Sequence, residues 1–360
     1  MKKKRGLILL VSCHLSFLFT GCHDSSVYYS DNNGNNDYGE IMNQYFDVSL
    51  PQGELQFTDW VLAKEDIEHI IPLGQIKPPE HTFPTDHMYF VFTGTQKVVY
   101  APTGGKIIYI KEKCGSYADE GIGIAVTRTL TYYLEHILID EQLKVGDSIN
   151  AGMRIGVSGN TSCVDFGLLN SEIDNGFPNF KNALTTYYGD KPLTYYSEPL
   201  RTELYALVEP PESFDEPDYV YAENVTDGAF ALNYPGTIQG NWFREDFVAS
   251  DSDQGGKLLA FGYDVYYPHQ VRIGYGLADL AFALHNDDQP VKPLEVSVAS
   301  GRVIYQIYNA NNTDKGVPSG DPIGIILVEL INDERLRFEI FNDSQLEDPV
   351  FTNAATYYNR

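Results

Sequence analysis

The chain has few positive charges for its size. Of its 360 residues, 25 are Lys or Arg and 50 are Asp or Glu, so the formal net charge is −25. No basic patch interrupts this acidic excess. Proteins that bind nucleic acids or anionic lipid surfaces use clustered Lys and Arg for the purpose. Neither is therefore an expected partner of this chain.

Methionine and tryptophan are also scarce, with 4 and 2 residues, whereas the chain has 26 Tyr and 19 Phe. Its 31 Gly and 19 Pro are scattered along the whole length. Aromatic residues favour strands, and Gly and Pro favour the turns between them. The composition therefore predicts an all-β protein, and the length suffices for two domains.

The only N-terminal apolar stretch is short. It runs from Leu7 to Phe19 after a basic start, Lys2 to Arg5, and is too short to be a convincing membrane-spanning helix. Residues 1–21 therefore indicate a signal peptide. The run Leu-Phe-Thr-Gly-Cys at 18–22 resembles a bacterial lipobox, which implies that Cys22 carries lipid and becomes the new N-terminus. An ordinary signal peptide cut near Gly21 is the alternative.

The residues after this cleavage point predict an exported, tethered protein. Residues 22–40 are rich in Asn and Asp and have no apolar period, which is typical of a flexible tether. His23 in place of Asp resembles an outer-membrane sorting signal in a Gram-negative host. Residues 22–360 carry a net charge of −29, because the four cations of the leader are lost. We expect a lipid-anchored protein of the cell envelope, held in the outer membrane through Cys22.

Cysteine is nearly absent from the predicted mature chain. Cys13 leaves with the leader and Cys22 takes the lipid, so Cys114 and Cys163 remain. The compartment outside the inner membrane is oxidising, and two remaining cysteines there suggest one disulfide. Two buried thiols are the alternative.

Two β domains are expected, at 41–207 and 222–360. A passage rich in Pro, Glu and Asp at 208–221 is typical of a domain boundary. The second domain has several short alternating strands and predicted hairpin turns at 299–301 and 332–334, which indicate a β-sandwich or small β-barrel. Within it, the tripeptide Gly240–Asn241–Trp242 faintly resembles a lipocalin-type strand.

Three stretches of the first domain carry a more specific pattern. They are "KVVYAPTGGKIIYIKEKCG", "GIGIAVTRTLTYYLEHILID" and "QLKVGDSINAGMRIGVSGNT". Each predicts a pair of short strands, with Gly at the tight turns. Together, over about residues 84–170, they resemble the core of lysostaphin-type zinc metallopeptidases, the endopeptidases that cut peptidoglycan cross-links. The resemblance implies a duplicated-hybrid-motif β domain. Biotinyl-type carrier domains share part of this pattern, but this chain has no Lys in the hairpin where such a carrier is modified.

The residues that would hold the zinc of such an enzyme are largely replaced. The family's final H-x-H falls on Cys163, Val164 and Asp165, so both imidazoles are absent there. The first ligand position falls on Asp86 or His87, and the aspartate expected four residues later is Phe90 or Val91. Only His136, in "YLEHILID", matches a family histidine, the one that assists the chemistry and does not bind the metal.

The sequence therefore favours a catalytically silent domain that binds or scaffolds a peptide or glycan ligand in the envelope, without a cofactor. The alternative is a zinc-dependent endopeptidase acting on peptidoglycan or protein. In that case His87, Cys163 and Asp165 form an unorthodox metal site and His136 is the catalytic residue. His81 is interpreted as an ordinary loop histidine.

Overall fold

The computed structural model describes residues 44–76, 81–94, 96–111, 120–175, 187–208, 227–247, 254–265, 271–276, 280–284, 292–309, 313–314, 317–318 and 321–360. Within these ranges the chain forms twenty strands and one short α-helix that is described over its full length, α1, at Leu200–Tyr205. The predicted all-β class is confirmed. No helix in the described part is both long and apolar enough to cross a membrane.

The first unit is a ten-stranded sheet. Its main path runs in the order β1-β2-β9-β6-β5-β4-β7, while β8 pairs with β6 and β3, and β10 pairs with β9. All of these pairings are antiparallel. The strands are β1 (Ile67–Ile71), β2 (His87–Phe92), β3 (Val98–Tyr100), β4 (Gly105–Lys111), β5 (Glu120–Ala125), β6 (Leu130–Ile139), β7 (Ser148–Ile149), β8 (Arg154–Ser158), β9 (Cys163–Asn170) and β10 (Gly189–Asp190).

The second unit is a closed barrel of eight antiparallel strands, in the order β11-β12-β13-β14-β15-β18-β19-β20. Of the two predicted architectures, the barrel is therefore the one observed. A separate two-stranded ribbon pairs β16 with β17. The strands are β11 (Gly240–Arg244), β12 (Leu258–Tyr263), β13 (Val271–Tyr275), β14 (Leu280–Leu284), β15 (Arg302–Asn309), β16 (Thr313–Asp314), β17 (Val317–Pro318), β18 (Gly324–Asn332), β19 (Arg335–Phe341) and β20 (Thr356–Asn359).

One strand expected in the second unit is absent. The alternating residues before the turn at 299–301 predicted a strand, but they form two 3₁₀ turns, Pro293–Glu295 and Val298–Ser300. Pro293 suits the start of a 3₁₀ turn and cannot donate to a strand ladder. Ser297 and Ser300 cap the second turn with reciprocal hydrogen bonds. Local side-chain bonding therefore overrides the apolar alternation here.

The central strands of the first sheet separate an apolar face from a polar face. Because neighbouring strand residues point to opposite faces, Phe90 on β2 and Phe166 on β9 lie on one side and pack into the main core. His87 on β2 and Asp165 on β9 therefore point to the other side. The polar side carries the candidate site.

The barrel interior is also apolar, and the Trp242 side chain on β11 is fully buried in its core. The Arg360 guanidinium lies 3.9 Å from the centroid of the Trp242 ring. Its two terminal nitrogens donate to the carbonyl oxygens of Tyr234 at 3.0 Å and Thr237 at 2.5 Å. The end of the chain is thus bound to the segment that leads into the first barrel strand.

Several predictions fall outside the described residues. The signal peptide at 1–21, the tether at 22–40, Cys22 and Cys114 are among them. Most of the predicted boundary at 208–221 also lies outside, so the domain limits 41–207 and 222–360 stay predictions.

Candidate functional site

A row of four residues crosses the polar face of the first sheet. His87 on β2 is opposite Gly167 on β9, Gly167 is opposite Tyr133 on β6, and Tyr133 is opposite Gly123 on β5. A Cβ at Gly167 would lie 2.0 Å from the Tyr133 ring. The glycine therefore leaves the space that the Tyr133 ring occupies.

The Tyr133 ring connects this row to the start of β2. Its hydroxyl donates to Oδ1 of Asp86 at 3.2 Å, and the same oxygen lies 3.1 Å from Nδ1 of His87. A larger side chain at position 167 would displace the Tyr133 ring and with it the hydroxyl that binds Asp86.

Asp165 is the centre of the polar cluster. Its Oδ2 lies 3.3 Å from Nε2 of His87 and 3.2 Å from Nε2 of His136. The Asp165 side chain is only 4% exposed, whereas His136 is 29% exposed. A buried carboxylate is costly unless charges or hydrogen bonds compensate it. The two imidazoles supply that compensation and make Asp86, His87, Asp165 and His136 one electrostatic unit, which we call the polar cluster.

The two contacts of His87 differ in kind. Nδ1 forms a hydrogen bond with Asp86. Nε2 is within ion-pair distance of Asp165, yet it is buried and lacks hydrogen-bond geometry to any partner. The attraction between His87 and Asp165 is therefore mainly one of charge, and the ring orientation is determined by Asp86.

Burial lowers the pKa of His87, but the negative charges of Asp165 and Asp86 and the hydrogen bond to Asp86 outweigh it and raise the pKa to about 9. Burial raises the pKa of Asp165, and the nearby imidazoles of His136 and His87 outweigh that and lower it to about 2. At neutral pH the polar cluster therefore holds a buried imidazolium between two carboxylates.

His136 has an unusual backbone conformation. Its φ is +62°, the left-handed region, and it is the one described residue other than Gly with a positive φ. The pairing of β5 with β6 shifts register between Glu120 and Ile122, next to this position. The His136 carbonyl accepts a hydrogen bond from the Gly159 amide at 2.7 Å. This irregularity turns the imidazole toward Asp165, as strand bulges near functional sites do.

Cys163 lies at the edge of the cluster. Its Sγ is 3.9 Å from Oδ1 of Asp165. The predicted partner Cys114 is outside the described residues, so the Cys114–Cys163 disulfide stays a prediction.

Sequence reasoning missed the contribution of His81 and Tyr89. The His81 ring centroid lies 5.2 Å from that of His87 and 6.0 Å from that of Tyr89. His81 also helps to lower the pKa of Asp165. Although His81 lies outside the regular strands, as expected, it contacts the polar cluster. His81 precedes β2, which begins at His87, so strand periodicity does not relate the two residues and the sequence carried no signal for this contact.

His87, Cys163 and Asp165 are the residues predicted to hold a zinc ion in the alternative interpretation of the sequence. Catalytic zinc takes three protein ligands at about 2.0–2.3 Å and keeps one position open. Among the residues that the structure describes, no group of three or more His, Cys, Asp or Glu is placed to hold a metal. In the predicted set, His87 faces Oδ2 of Asp165 while Cys163 lies beside Oδ1. The atoms that converge are Nε2 of His87, Nε2 of His136 and Oδ2 of Asp165, whereas Cys163 lies beside the other carboxylate oxygen.

Comparison with known proteins gives matches to solved structures only. No family model matches the chain, and no curated protein matches it. Csd3 of Helicobacter pylori is similar over 42% of this chain and 38% of its own, with 16% identity and a TM-score of 0.30. A zinc-containing peptidase of Vibrio cholerae is similar over 33% of this chain and 38% of its own, with 19% identity and a TM-score of 0.28.

A third solved structure is the catalytic domain of the antimicrobial peptidase lysostaphin from Staphylococcus simulans. It matches over 43% of this chain and 95% of its own, with 16% identity and a TM-score of 0.24. The chain thus spans well under half the length of the first two structures and nearly all of the third.

Proposed function

We propose that the protein is a lipid-anchored component of the cell envelope whose first unit is a catalytically silent relative of the zinc peptidases that it resembles. Its role in this proposal is to bind or scaffold a peptide or glycan, with peptidoglycan as the expected ligand. The observation that carries the proposal is that His87 and His136 both direct Nε2 at Oδ2 of Asp165.

The chemistry of metal-dependent hydrolysis explains why this observation matters. A zinc peptidase needs a cation with an open position, where water is polarised and loses a proton. In the polar cluster the positive charge is a protonated imidazole, which has no vacant position and binds no hydroxide. Asp165, which stands where the pattern has a zinc-binding histidine, is neutralised by this imidazole. The cluster thus stabilises the folded sheet without supplying a nucleophile.

Binding requires a different set of features. Beside the buried cluster, Lys111 and Glu135 form an ion pair, and their side chains are 25% and 24% exposed. Glu135 is directly opposite Asp165 across the β6–β9 ladder, so this pair borders the cluster on the polar face. Partly exposed, oppositely charged groups of this kind suit a zwitterionic peptide, such as the stem peptides of peptidoglycan. We place the ligand along this border.

Lys111→Glu tests the placement of the ligand. The full-length protein is sedimented with isolated peptidoglycan, and the bound fraction is measured together with the soluble fragments released. Lys144→Glu is the matched control, because it makes the same change of charge on an exposed turn. We expect Lys111→Glu to weaken binding about tenfold, equivalent to about 1.4 kcal/mol, and Lys144→Glu to bind like wild type.

Wild type is expected to release no fragments, with or without added zinc. Equal binding by both variants would contradict the placement of the ligand. We also expect that a chelator does not reduce the binding of wild type or of either variant to peptidoglycan.

One observation favours the alternative of a zinc endopeptidase. The Nε2 atom of His87 is buried without a hydrogen bond, and such an atom is available to a ligand once the imidazole is deprotonated. Chelator-sensitive release of fragments that disappears in His136→Ala would establish the alternative and refute catalytic silence.

A further inference from the structure

Small residues lie on the outer face of the barrel where it meets the first unit. Ala260 on β12 is directly opposite Gly274 on β13, so two of the smallest side chains lie next to each other. Gly262, two residues after Ala260, points to the same side. A Cβ at Gly274 would lie 2.0 Å from the carbonyl oxygen of Thr82, which is backbone and cannot rotate away. The glycine is therefore required for the close approach of the Thr82 backbone.

Aromatic and aliphatic contacts fix the same segment on either side of Thr82. Phe83 packs edge-on against Phe243 of β11, with ring centroids 5.1 Å apart. Ile76 and Phe83 form a small buried cluster with Ala260. The barrel wall thus contacts the segment through the side chains of Phe243 and Ala260 as well as through the backbone.

Backbone hydrogen bonds hold the ends of this segment together. The Gly74 amide donates to the Thr85 carbonyl at 2.8 Å, and the Thr85 amide donates to the Gln75 carbonyl at 3.1 Å. The Leu73 amide donates to the Asp227 carbonyl at 2.9 Å, just before the chain enters the barrel. Residues 81–85 are therefore held between the first sheet and the barrel.

These residues lead directly into the polar cluster. Asp86 and His87 follow Thr85 in the chain, and the His81 ring lies 5.2 Å from the His87 ring. Asp86 determines the orientation of His87 through Nδ1. A displacement of residues 82 and 83 is therefore transmitted to Asp86 and to His81, both of which contact the His87 ring.

We infer that the outer face of the barrel is the positioning surface of the polar cluster. Gly274 and Phe243 are positioning residues on the barrel, and Phe83 is the residue through which they act. This gives the second unit a role that is independent of any ligand of the first.

Gly274→Ala tests the inference in the full-length protein. The imidazole NMR resonances of His81, His87 and His136 report on the cluster, and the indole resonance of Trp242 reports on the barrel interior. Gly256→Ala is the matched control, since the nearest atom to a Cβ there is 4.0 Å away. We expect Gly274→Ala to shift the His81 and His87 resonances and to speed exchange of the His87 Nδ1 proton, while Trp242 keeps its position. Gly256→Ala should leave all four resonances unchanged.

A second pair of variants applies if Gly274→Ala does not fold. Phe83→Ala should shift the His81 and His87 resonances, and the conservative Phe83→Leu should restore them, because Leu still fills the space against Phe243. The inference is overturned if folded Gly274→Ala or Phe83→Ala leaves both resonances at their wild-type positions. It is also overturned if Phe83→Leu shifts them as much as Phe83→Ala does.

Discussion

Asp165 takes the place of a histidine in the peptidase pattern that the sequence resembles, and the structure shows how its charge is compensated. A carboxylate in place of an imidazole adds a negative charge to a buried position. His87 and His136 compensate that charge. Asp86 forms a hydrogen bond with His87 and accepts another from Tyr133. The carboxylate at position 165 is therefore accommodated by neighbouring side chains of complementary charge and hydrogen-bonding capacity.

The raised pKa of His87 predicts a specific dependence of stability on pH. Its pKa is about 9 in the folded protein against an ordinary value of 6.5, so folding favours the protonated form. The stabilisation is complete below about pH 6.5 and is lost as the pH rises through about 9. We expect the melting temperatures of wild type and His87→Gln to differ most in mildly acidic buffer and to converge above about pH 9.

His69→Gln provides the control for this measurement. Burial lowers the pKa of His69, so its effect has the opposite sign: its contribution is complete above about pH 6.5 and is lost as the pH falls. A difference between wild type and His87→Gln that stays constant between about pH 6 and pH 10 would contradict the assignment of the charge to His87.

The left-handed backbone of His136 predicts that two substitutions there differ. Both His136→Gly and His136→Ala remove the imidazole, but only glycine adopts a φ of +62° without strain. We expect His136→Gly to be more stable than His136→Ala, with a free energy of unfolding about 1 kcal/mol higher. Equilibrium denaturation in urea measures the difference, and a more stable Ala variant would show that the backbone relaxes to an ordinary strand.

Among the strands, those with period-two patterns and glycine turns were predicted well from sequence. The stretches at 97–115, 121–140 and 142–161 contain β3 to β8, as the paired-strand pattern indicated. The exception at 294–298 has the same alternation, but Pro293 and the capping serines favour 3₁₀ turns. Alternation of apolar and polar residues alone does not distinguish a strand from a pair of 3₁₀ turns, because either structure buries one side of the segment.

The polar cluster was predicted less completely than the strands. His87, His136, Cys163 and Asp165 followed from the motif and do lie near one another. Tyr133 and His81 did not, because their roles depend on the register that places Tyr133 beside Gly167 and on the barrel contact that places Thr82. Register and contacts between units are set by tertiary packing, which one sequence does not reveal.

Closure of the barrel is predicted to depend on Arg360. Its guanidinium stacks on Trp242 and donates to three carbonyl groups near the start of β11. Hydrogen bonds from a charged group contribute about 1.5–3 kcal/mol, so we expect Arg360→Ala to destabilise the barrel by about 2–4 kcal/mol. Arg335→Ala is the control, because Arg335 also stacks on an aromatic ring, Tyr357, but its side chain is 39% exposed.

Chemical denaturation monitored by the Trp242 indole resonance measures the loss of stability in Arg360→Ala and in Arg335→Ala. An Arg360→Ala variant that loses no more stability than Arg335→Ala would contradict the role of Arg360 in closing the barrel.

At the scale of the whole molecule, anchoring is predicted to depend on Cys22. Lipid on this residue would hold a strongly acidic protein at the membrane, although its charge opposes contact with anionic lipid. We expect Cys22→Ala to move the protein from the membrane fraction to the soluble envelope fraction of the host. Cys163→Ala is the control and should stay in the membrane fraction. Retention of Cys22→Ala in the membrane would refute lipid anchoring.

The central proposal is that an internal ion-pair cluster takes the place of the metal site in the peptidase pattern that the sequence resembles. Its most direct test is the zinc content of the full-length protein, measured after equilibration with zinc and removal of the unbound ion. We predict far less than one zinc per chain, with no change in His136→Ala. A content close to one zinc per chain that is lost in His87→Ala and in Asp165→Ala would contradict the account.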